Sequence, residues 1–147
     1  KVINSKDKIK SAELLDEINK HILETLLKIS AYEKLTKELR LLITTPYVLQ
    51  EMQLLKDQGS IKFDGLNKPK NVYTSSKEKI GKDGKLRAGY RLIFLKLKNN
   101  GKLHSLNELK PLIAHELAHT AANHVTWRDD DHGGVFNKNY NIIYKHI

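Results

Sequence analysis

The chain has 147 residues, enough for one domain with a hydrophobic core, and its hydrophobic content of 39% is ordinary for a globular protein. It contains no cysteine, which excludes disulfides and thiolate metal sites and leaves His, Asp and Glu as strong metal ligands. No stretch approaches the ~20 apolar residues that a membrane-spanning helix needs, so we expect no membrane contact within this segment. The chain begins at Lys1 rather than methionine, so we expect it to be part of a longer protein, with room upstream for a targeting segment.

The net charge of +9 is concentrated in one third of the chain. Residues 61–110 carry thirteen Lys or Arg against four Asp or Glu, whereas the segments on either side are nearly balanced. This basic segment has two interpretations. The lysines can simply solvate loops, or the cations and the aromatic residues among them can supply phosphate contacts and base stacking. Under the second interpretation, the candidate nucleic-acid-binding residues are Lys82, Lys85 and Arg87.

Residues 1–59 are predicted to form a helical scaffold. Apolar residues recur with the period of a helix over residues 11–29. Ser30 and Glu33 have the spacing of a capping box, which predicts that a second helix follows over residues 31–43.

Thr45 followed by Pro46 has the pattern of an N-cap and a first helical position, and it predicts a third helix that ends before Gly59.

The composition changes after Gly59. Residues 60–103 are rich in Gly, Asn and Lys with short apolar runs, which predicts strands and hairpins in a small antiparallel sheet. The expected features are a short strand at Asn71–Ser76, a turn at Lys82–Lys85, a clear strand at Tyr90–Leu97 and a turn at Asn99–Gly101.

An H-E-x-x-H motif, His115-Glu116-x-x-His119, lies inside a long apolar run. Ser105 and Glu108 form a capping box for its helix, although Pro111 falls in the second turn and predicts a kink or a later start. On a helix the two histidines are one turn apart on the same face, where they can bind one Zn²⁺ with Glu116 beside them as general base.

The helix that carries the motif is apolar almost all round, which predicts a place in the core. Two histidines and a carboxylate are costly to bury unless something pairs with them, and a metal ion would do so. The alternative is a core helix whose two histidines are satisfied by ordinary hydrogen bonds. Isolated matches to this motif are common by chance. The apolar context of this match nevertheless favours the metal site.

A catalytic zinc needs a third protein ligand and one open position. His124 is predicted to point away, about 160° around the helix from the motif histidines. No Glu follows Glu116, and Ala122 and Val125 stand where a longer H-E-x-x-H-x-x-G-x-x-H pattern requires Gly and His. The remaining candidates are His132, His146, Asp129, Asp130 and Asp131.

His132 is the favoured third ligand, because two glycines follow it and leave room for a close approach to the metal. The aspartates before it are more typical of caps, and Asp130 or Asp131 is predicted to cap a last helix. The apolar side of that helix is predicted to carry Val135, Phe136, Tyr140, Ile143, Tyr144 and Ile147.

The pattern His115-Glu116-x-x-His119 followed by His132-Gly133-x-x-Phe136 resembles the SprT-like (Spartan-type) zinc metallopeptidases and is similar to the related WLM group. The spacing from His119 to His132 is nearer that of the SprT-like proteins, and the resemblance covers about residues 92–136. It implies a zincin-like domain, and together with the elements predicted above we expect an α+β fold with N-terminal helices, a small antiparallel sheet, an active-site helix and a C-terminal helix. We therefore expect one domain over 1–147, divided into a helical scaffold (1–59), a basic strand region (60–103) and zinc-site helices (104–147).

The resemblance also implies zinc-dependent proteolysis of proteins on, or crosslinked to, DNA. We expect a protein or peptide substrate, one catalytic Zn²⁺, DNA contacts through residues 61–110, and an intracellular location in the nucleus or on DNA. Tyr140, Tyr144 and Trp127 are candidates for stabilising the oxyanion, with apolar packing as the alternative for each. A second function class is a basic nucleic-acid-binding module with a structural zinc site, but such a site would not need Glu116.

Overall fold

The computed structural model describes residues 5–52, 64–70, 89–124 and 132–147. Within these ranges the protein has an α+β architecture, with a mixed three-stranded sheet and a separate two-stranded hairpin. In chain order the elements are α1 (Ser5–Tyr32), α2 (Lys37–Thr44), β1 (Tyr47–Glu51), β2 (Gly65–Lys70), β3 (Tyr90–Leu95), β4 (Lys98–Asn99), β5 (Lys102–Leu103), α3 (Leu106–Ala121) and α4 (Gly134–His146).

The predicted first helix is confirmed and is longer than expected. α1 buries Ile18, Ile22 and Ile29 on one side, as the helical period of its apolar residues requires. The capping box predicted at Ser30 and Glu33 is wrong, because α1 continues to Tyr32. Its buried stripe keeps the last turn packed on the core, and this packing overrides the local capping signal.

α2 is capped by a different residue from the one expected. Thr36 has an extended backbone, and its hydroxyl accepts a hydrogen bond from the Leu39 backbone N–H at 3.2 Å. The helix ends at Thr44, where the Thr45 N–H donates to the Leu41 carbonyl oxygen at 3.0 Å. Thr45 therefore closes a helix rather than opening one.

The predicted third helix is wrong, because the residues after Pro46 form strand β1. Tyr47, Val48 and Leu49 alternate between half-buried and exposed positions, as a strand on a sheet surface does. β1 runs parallel to β3 with Tyr47 opposite Arg91. The segment 1–59 is thus not wholly helical.

β3 confirms the clearest predicted strand and lies in the centre of the sheet, which has the order β1-β3-β2. β2 pairs with it antiparallel, so the sheet is mixed and not antiparallel throughout as predicted. β2 contains Gly65 and Pro69, which are unfavourable in an interior strand but tolerated at an edge. Because of these two residues, the sequence pattern did not predict β2 as a strand.

The turn predicted at Asn99–Gly101 is confirmed as the link between β4 and β5. Asn100 and Gly101 have φ angles of 52° and 80°, the left-handed conformation that a tight hairpin turn requires. The strand predicted over residues 71–76 and the turn over 82–85 lie outside the described residues.

α3 crosses the core and carries the H-E-x-x-H motif. The predicted capping box is confirmed, with reciprocal bonds between Ser105 and Glu108, and the helix begins at Leu106 and continues through Pro111. The expected start nearer Pro111 is wrong. Buried Ile113, Leu117 and Ala118 contribute to the same core as α1, α2, β3 and α4.

α4 packs against α3 and α1. Its N-cap is Gly133, not Asp130 or Asp131, which lie outside the described residues. Three of its predicted apolar positions are buried: Phe136, Ile143 and Ile147. Val135 and Tyr144 are instead each 50% exposed, and Tyr140 is half-buried. In the part of the chain that is described, no helix combines the length and apolar character needed to cross a bilayer.

Candidate metal centre

The two motif histidines meet on one face of α3. His115 and His119 are both half-buried, and their Nε2 atoms lie 3.2 Å apart. Their rings are nearly perpendicular, with centroids 4.8 Å apart. One helical turn thus points two nitrogen lone pairs at a common position, as the motif predicts.

His132 joins them from the segment just before α4. One potential ligand atom from each of His115, His119 and His132 lies within 4.8 Å of the others. Phe136, in the first turn of α4, packs against all three rings at centroid distances of 4.6–5.1 Å. The side-chain amide of Asn137 donates to the His132 carbonyl oxygen at 2.6 Å. The packing of α4 on α3 therefore places the predicted third ligand beside the motif.

The donor set suits zinc. Three imidazoles are typical ligands of a catalytic zinc, and Zn–N bonds of ~2.0–2.1 Å place ligand nitrogens ~3.3 Å apart in a tetrahedron. The 3.2 Å between the motif nitrogens is close to that value. His146 is at the far end of α4, ~18 Å from the start of that helix at 1.5 Å per residue. It does not belong to the cluster. The three candidate aspartates lie outside the described residues.

The surroundings favour the neutral, metal-binding form of these imidazoles. Burial lowers the pKa of His119 to about 3, with further contributions from the charges of neighbouring histidines and Arg91. Burial also lowers the pKa of His115, assisted by His132. Because only a neutral imidazole can bind a metal, the lowered pKa values leave both side chains able to do so near neutral pH.

Glu116 lines a cleft together with two of the histidines. Its side chain is only 3% exposed, and burial raises the pKa of its carboxyl group to about 8. A divalent cation nearby would stabilise the carboxylate and lower that pKa. The cleft has a volume of about 690 Å³, and His115 and His132 line it together with Glu116.

Gly65 makes room for this carboxylate. A Cβ atom at position 65 would lie 2.6 Å from the Glu116 Oε2 atom and 2.9 Å from the Leu112 Cδ1 atom. Both distances are shorter than real Cβ contacts, so a side chain here would displace Glu116 or Leu112. The first residue of β2 is therefore part of the site, and no pattern in the sequence predicts its contact with Glu116.

Two candidates for oxyanion stabilisation can be placed. Tyr140 lines the cleft, and burial raises the pKa of its hydroxyl group. Tyr144 stacks on Tyr140, with ring centroids 5.8 Å apart, and is not among the cleft residues. Trp127 lies outside the described residues.

The prediction that His124 points away is wrong. α3 ends at Ala121, and Asn123 adopts a left-handed conformation with a φ angle of 58°. The His124 N–H then bonds the His119 carbonyl at 3.2 Å and the Asn123 N–H bonds the Thr120 carbonyl at 3.0 Å, which together form a Schellman motif. This turn folds the His124 ring back, and its Nδ1 lies 2.6 Å from the Nδ1 of His119. Asn is one of the few residue types that adopt the left-handed conformation after a helix, so Asn123 was the feature of the sequence that could have predicted this turn.

A buried polar network lies behind the motif helix, and the sequence did not reveal it. Asn67 donates to the Glu116 carbonyl oxygen at 2.5 Å and to the Thr120 hydroxyl at 2.7 Å. Arg91 donates to the His124 carbonyl oxygen at 2.6 Å and to the Asn123 side-chain oxygen at 3.3 Å. Asn67 and Arg91 are 5% and 4% exposed. A lone polar residue in a strand pattern gives no indication of what it will contact.

The candidate nucleic-acid-binding residues Lys82, Lys85 and Arg87 lie outside the described residues. Of the described cations in the basic segment, Arg91 is buried in the network above and Lys68 lies over the Phe94 ring at 5.7 Å. Lys96 approaches Asp64 at 4.0 Å. These three cations have contacts within the protein.

No family model, curated protein or solved structure matches the chain.

Proposed function

We propose that this chain is a zinc-dependent endopeptidase of the SprT-like type, with His115, His119 and His132 as metal ligands and Glu116 as general base. One observation carries the proposal: three imidazoles converge within 4.8 Å at a cleft that the buried side chain of Glu116 also lines. The motif and its H-x-x-x-F element support the assignment to this type.

Each residue has a chemical task. A bound zinc supplies Lewis acidity, lowering the pKa of water to roughly 7 and polarising the scissile carbonyl. Glu116 accepts the proton of the attacking water and returns it to the leaving amine. Burial alone raises the pKa of this carboxyl group, and a divalent cation beside it would lower that pKa again, so that the carboxylate can accept a proton near neutral pH. Tyr140, on the wall of the cleft, is the candidate donor to the developing oxyanion.

The cleft favours an enzyme over a structural zinc site. A structural site closes its coordination with four protein ligands and has no use for a base beside it. Here Glu116 is 3% exposed without a neutralising partner among its described contacts, and a Cβ atom at position 65 of β2 would lie 2.6 Å from its Oε2 atom. Burying a carboxyl group in this way is unfavourable for folding, and catalysis gives a reason for it.

The proposed targets are proteins on, or crosslinked to, DNA, with DNA bound through residues 61–110. The charge of that segment supports this part of the proposal. If Lys82, Lys85 and Arg87 contact phosphates, replacing them with Gln reduces the log–log salt slope of DNA binding by about 0.9 per lost contact on duplex DNA. Equal slopes for wild type and the triple variant would contradict it.

The proposed activity is tested by incubating the protein with unfolded casein. We expect cleavage that stops on removing zinc with a chelator and returns when zinc is restored. Parallel reactions with and without single-stranded DNA test whether DNA stimulates cleavage. A zinc-loaded protein that cleaves neither casein nor a DNA-bound protein would contradict the proposal.

A further inference from the structure

His119 has a separate partner for each ring nitrogen. Its Nε2 faces the Nε2 of His115 at 3.2 Å, within the ligand cluster. Its Nδ1 faces the Nδ1 of His124 at 2.6 Å, on the other side of the ring. The second contact is outside the proposed ligand set and has no role in the mechanism above.

His124 is too close to His119 for those two Nδ1 atoms to bind one zinc ion together. Two nitrogens on a tetrahedral zinc are ~3.3 Å apart, whereas these atoms are separated by 2.6 Å, a hydrogen-bond distance. Since a histidine that binds a metal through Nε2 carries its proton on Nδ1, it needs an acceptor there. The Nδ1 lone pair of His124 meets that need.

The protein holds His124 in this place from two directions. The left-handed Asn123 and the Schellman motif turn the chain back towards α3. Arg91, on the central strand, then donates to the backbone oxygen of His124 at 2.6 Å and to the side chain of Asn123 at 3.3 Å. A 4%-exposed guanidinium with such contacts fixes a turn that would otherwise be free to fray.

Asn67 extends the same support along α3. It bonds the backbone of Glu116 and the hydroxyl of Thr120, and its side-chain oxygen lies 3.5 Å from Arg91. Gly65, Asn67 and Arg91 lie on the same face of the sheet because their positions alternate along paired strands. The sheet therefore contacts the motif helix from the general base to the turn that follows it.

We propose that His124 is a positioning residue that accepts the Nδ1 proton of His119, and that Arg91 and Asn67 hold His124 and the motif helix in register. The inference rests on the proposed zinc site. It assigns His124 no bond to the metal and no contact with substrate. Its effect is to fix the tautomer and ring orientation of one ligand.

The test measures zinc affinity by competition with a chelator for wild type, His124→Phe and His124→Asn. Phe keeps a ring but accepts no hydrogen bond, whereas Asn places its Oδ1 where the imidazole has Nδ1. We expect His124→Phe to weaken zinc binding by about 10- to 100-fold, the usual effect of removing a ligand's hydrogen-bond partner. His124→Asn restores most of the affinity, and thermal melting of each apo variant separates this from loss of folding.

His21→Phe is the matched control. His21 is also half-buried and also bonds through its ring, to the Ile147 backbone oxygen, but it lies outside the cluster. Its loss should lower the melting temperature and leave zinc affinity unchanged. NMR of the zinc-loaded protein gives a second readout, since the protected Nδ1 proton signal of His119 should be lost in His124→Phe.

The outcomes distinguish the two proposals. A wild type that does not bind zinc overturns the proposed function itself. A wild type that binds zinc, with equal affinity in His124→Phe, overturns only the role of His124. Equal weakening in the Phe and Asn variants also overturns it, because the acceptor would then be irrelevant.

Discussion

The two ends of α4 present histidines in opposite circumstances. Just before the helix, His132 joins two other imidazoles whose ring nitrogens converge on a common position. At its last residue, His146 bonds the Glu33 carboxylate at 2.6 Å and stacks on Tyr32. His146 is satisfied by a partner within the protein, whereas the ring nitrogens of His115, His119 and His132 face one another in an arrangement that could hold a metal ion. We refer to these as the cluster end and the clasp end.

The glutamates at the two ends differ in the same way. At the cluster end, burial raises the pKa of Glu116 to about 8. At the clasp end, hydrogen bonds from His146 and Lys145 lower the pKa of Glu33. A carboxylate that accepts hydrogen bonds from two neighbouring side chains stabilises the fold, whereas a buried carboxyl group beside converging imidazoles is a candidate for a functional role. The contrast predicts that matched substitutions at the two ends have different consequences.

The largest contrast should come from the two glutamates. Glu116→Gln keeps the size of the side chain but removes the base, so casein cleavage should fall by about 10²- to 10⁴-fold with zinc retained. Glu33→Gln should leave the rate unchanged. Initial rates of the two zinc-loaded variants measure this difference, and undiminished cleavage by Glu116→Gln would place the general base elsewhere.

The histidines of the two ends should separate metal binding from stability. His132→Ala removes a proposed ligand and should weaken zinc binding by more than the roughly 10- to 100-fold typical of a ligand's supporting partner. His146→Ala should lower the melting temperature and leave zinc affinity as in wild type. Chelator competition and thermal melting, run on both variants, give the comparison. Equal affinities in the two variants would remove the distinction between the ends.

Gly65→Ala tests the cluster end without changing a ligand or the base. The added methyl group would lie 2.6 Å from the Glu116 Oε2 atom, so the carboxylate must shift. Because displacement of a reacting group by about 1 Å can cost as much as ~10²-fold, cleavage should fall while zinc affinity stays the same. A fully active Gly65→Ala protein would mean that the close approach of β2 is unimportant for Glu116.

The smallest expected effect is the pH dependence of the stability that Glu33 contributes at the clasp end. Since the folded protein lowers the pKa of Glu33 below its ordinary 4.5, this group stabilises the fold above that pH. The stabilisation is lost as the pH falls through the lowered value. Glu33→Gln should therefore melt below wild type near neutral pH, and the gap should close on acidification below about 4.5. A gap that persists unchanged at low pH would point to packing rather than charge.

The sequence predicted the parts of the site that depend on local periodicity. The one-turn spacing of His115 and His119 and the capping box of α3 are properties of a helix by itself, and the structure has both. His132 was chosen by elimination and by the glycines after it, and the structure brings it to the motif. Its role as a zinc ligand stays a prediction.

The parts that were missed depend on what lies across the fold. Thr45 and Pro46 have the same residue types as a helix start, and only pairing with β3 makes the next residues a strand. His124 was misplaced because the angular argument assumed that α3 continues, whereas Asn123 reverses the chain. Asn67 and Arg91 are 24 positions apart in the chain, and their other contacts are with residues 32–53 positions away. No local pattern contains that information.

X-ray absorption at the zinc edge tests the central claim most directly, because it reports the number, type and distance of the atoms bound to the metal. For protein loaded with one equivalent of zinc, we predict three imidazole nitrogens at ~2.0–2.1 Å and one light, exchangeable ligand. In His132→Ala one imidazole should be lost from this first shell. A zinc shell that keeps the same imidazoles in His132→Ala, or a wild type that retains no zinc, would contradict the account.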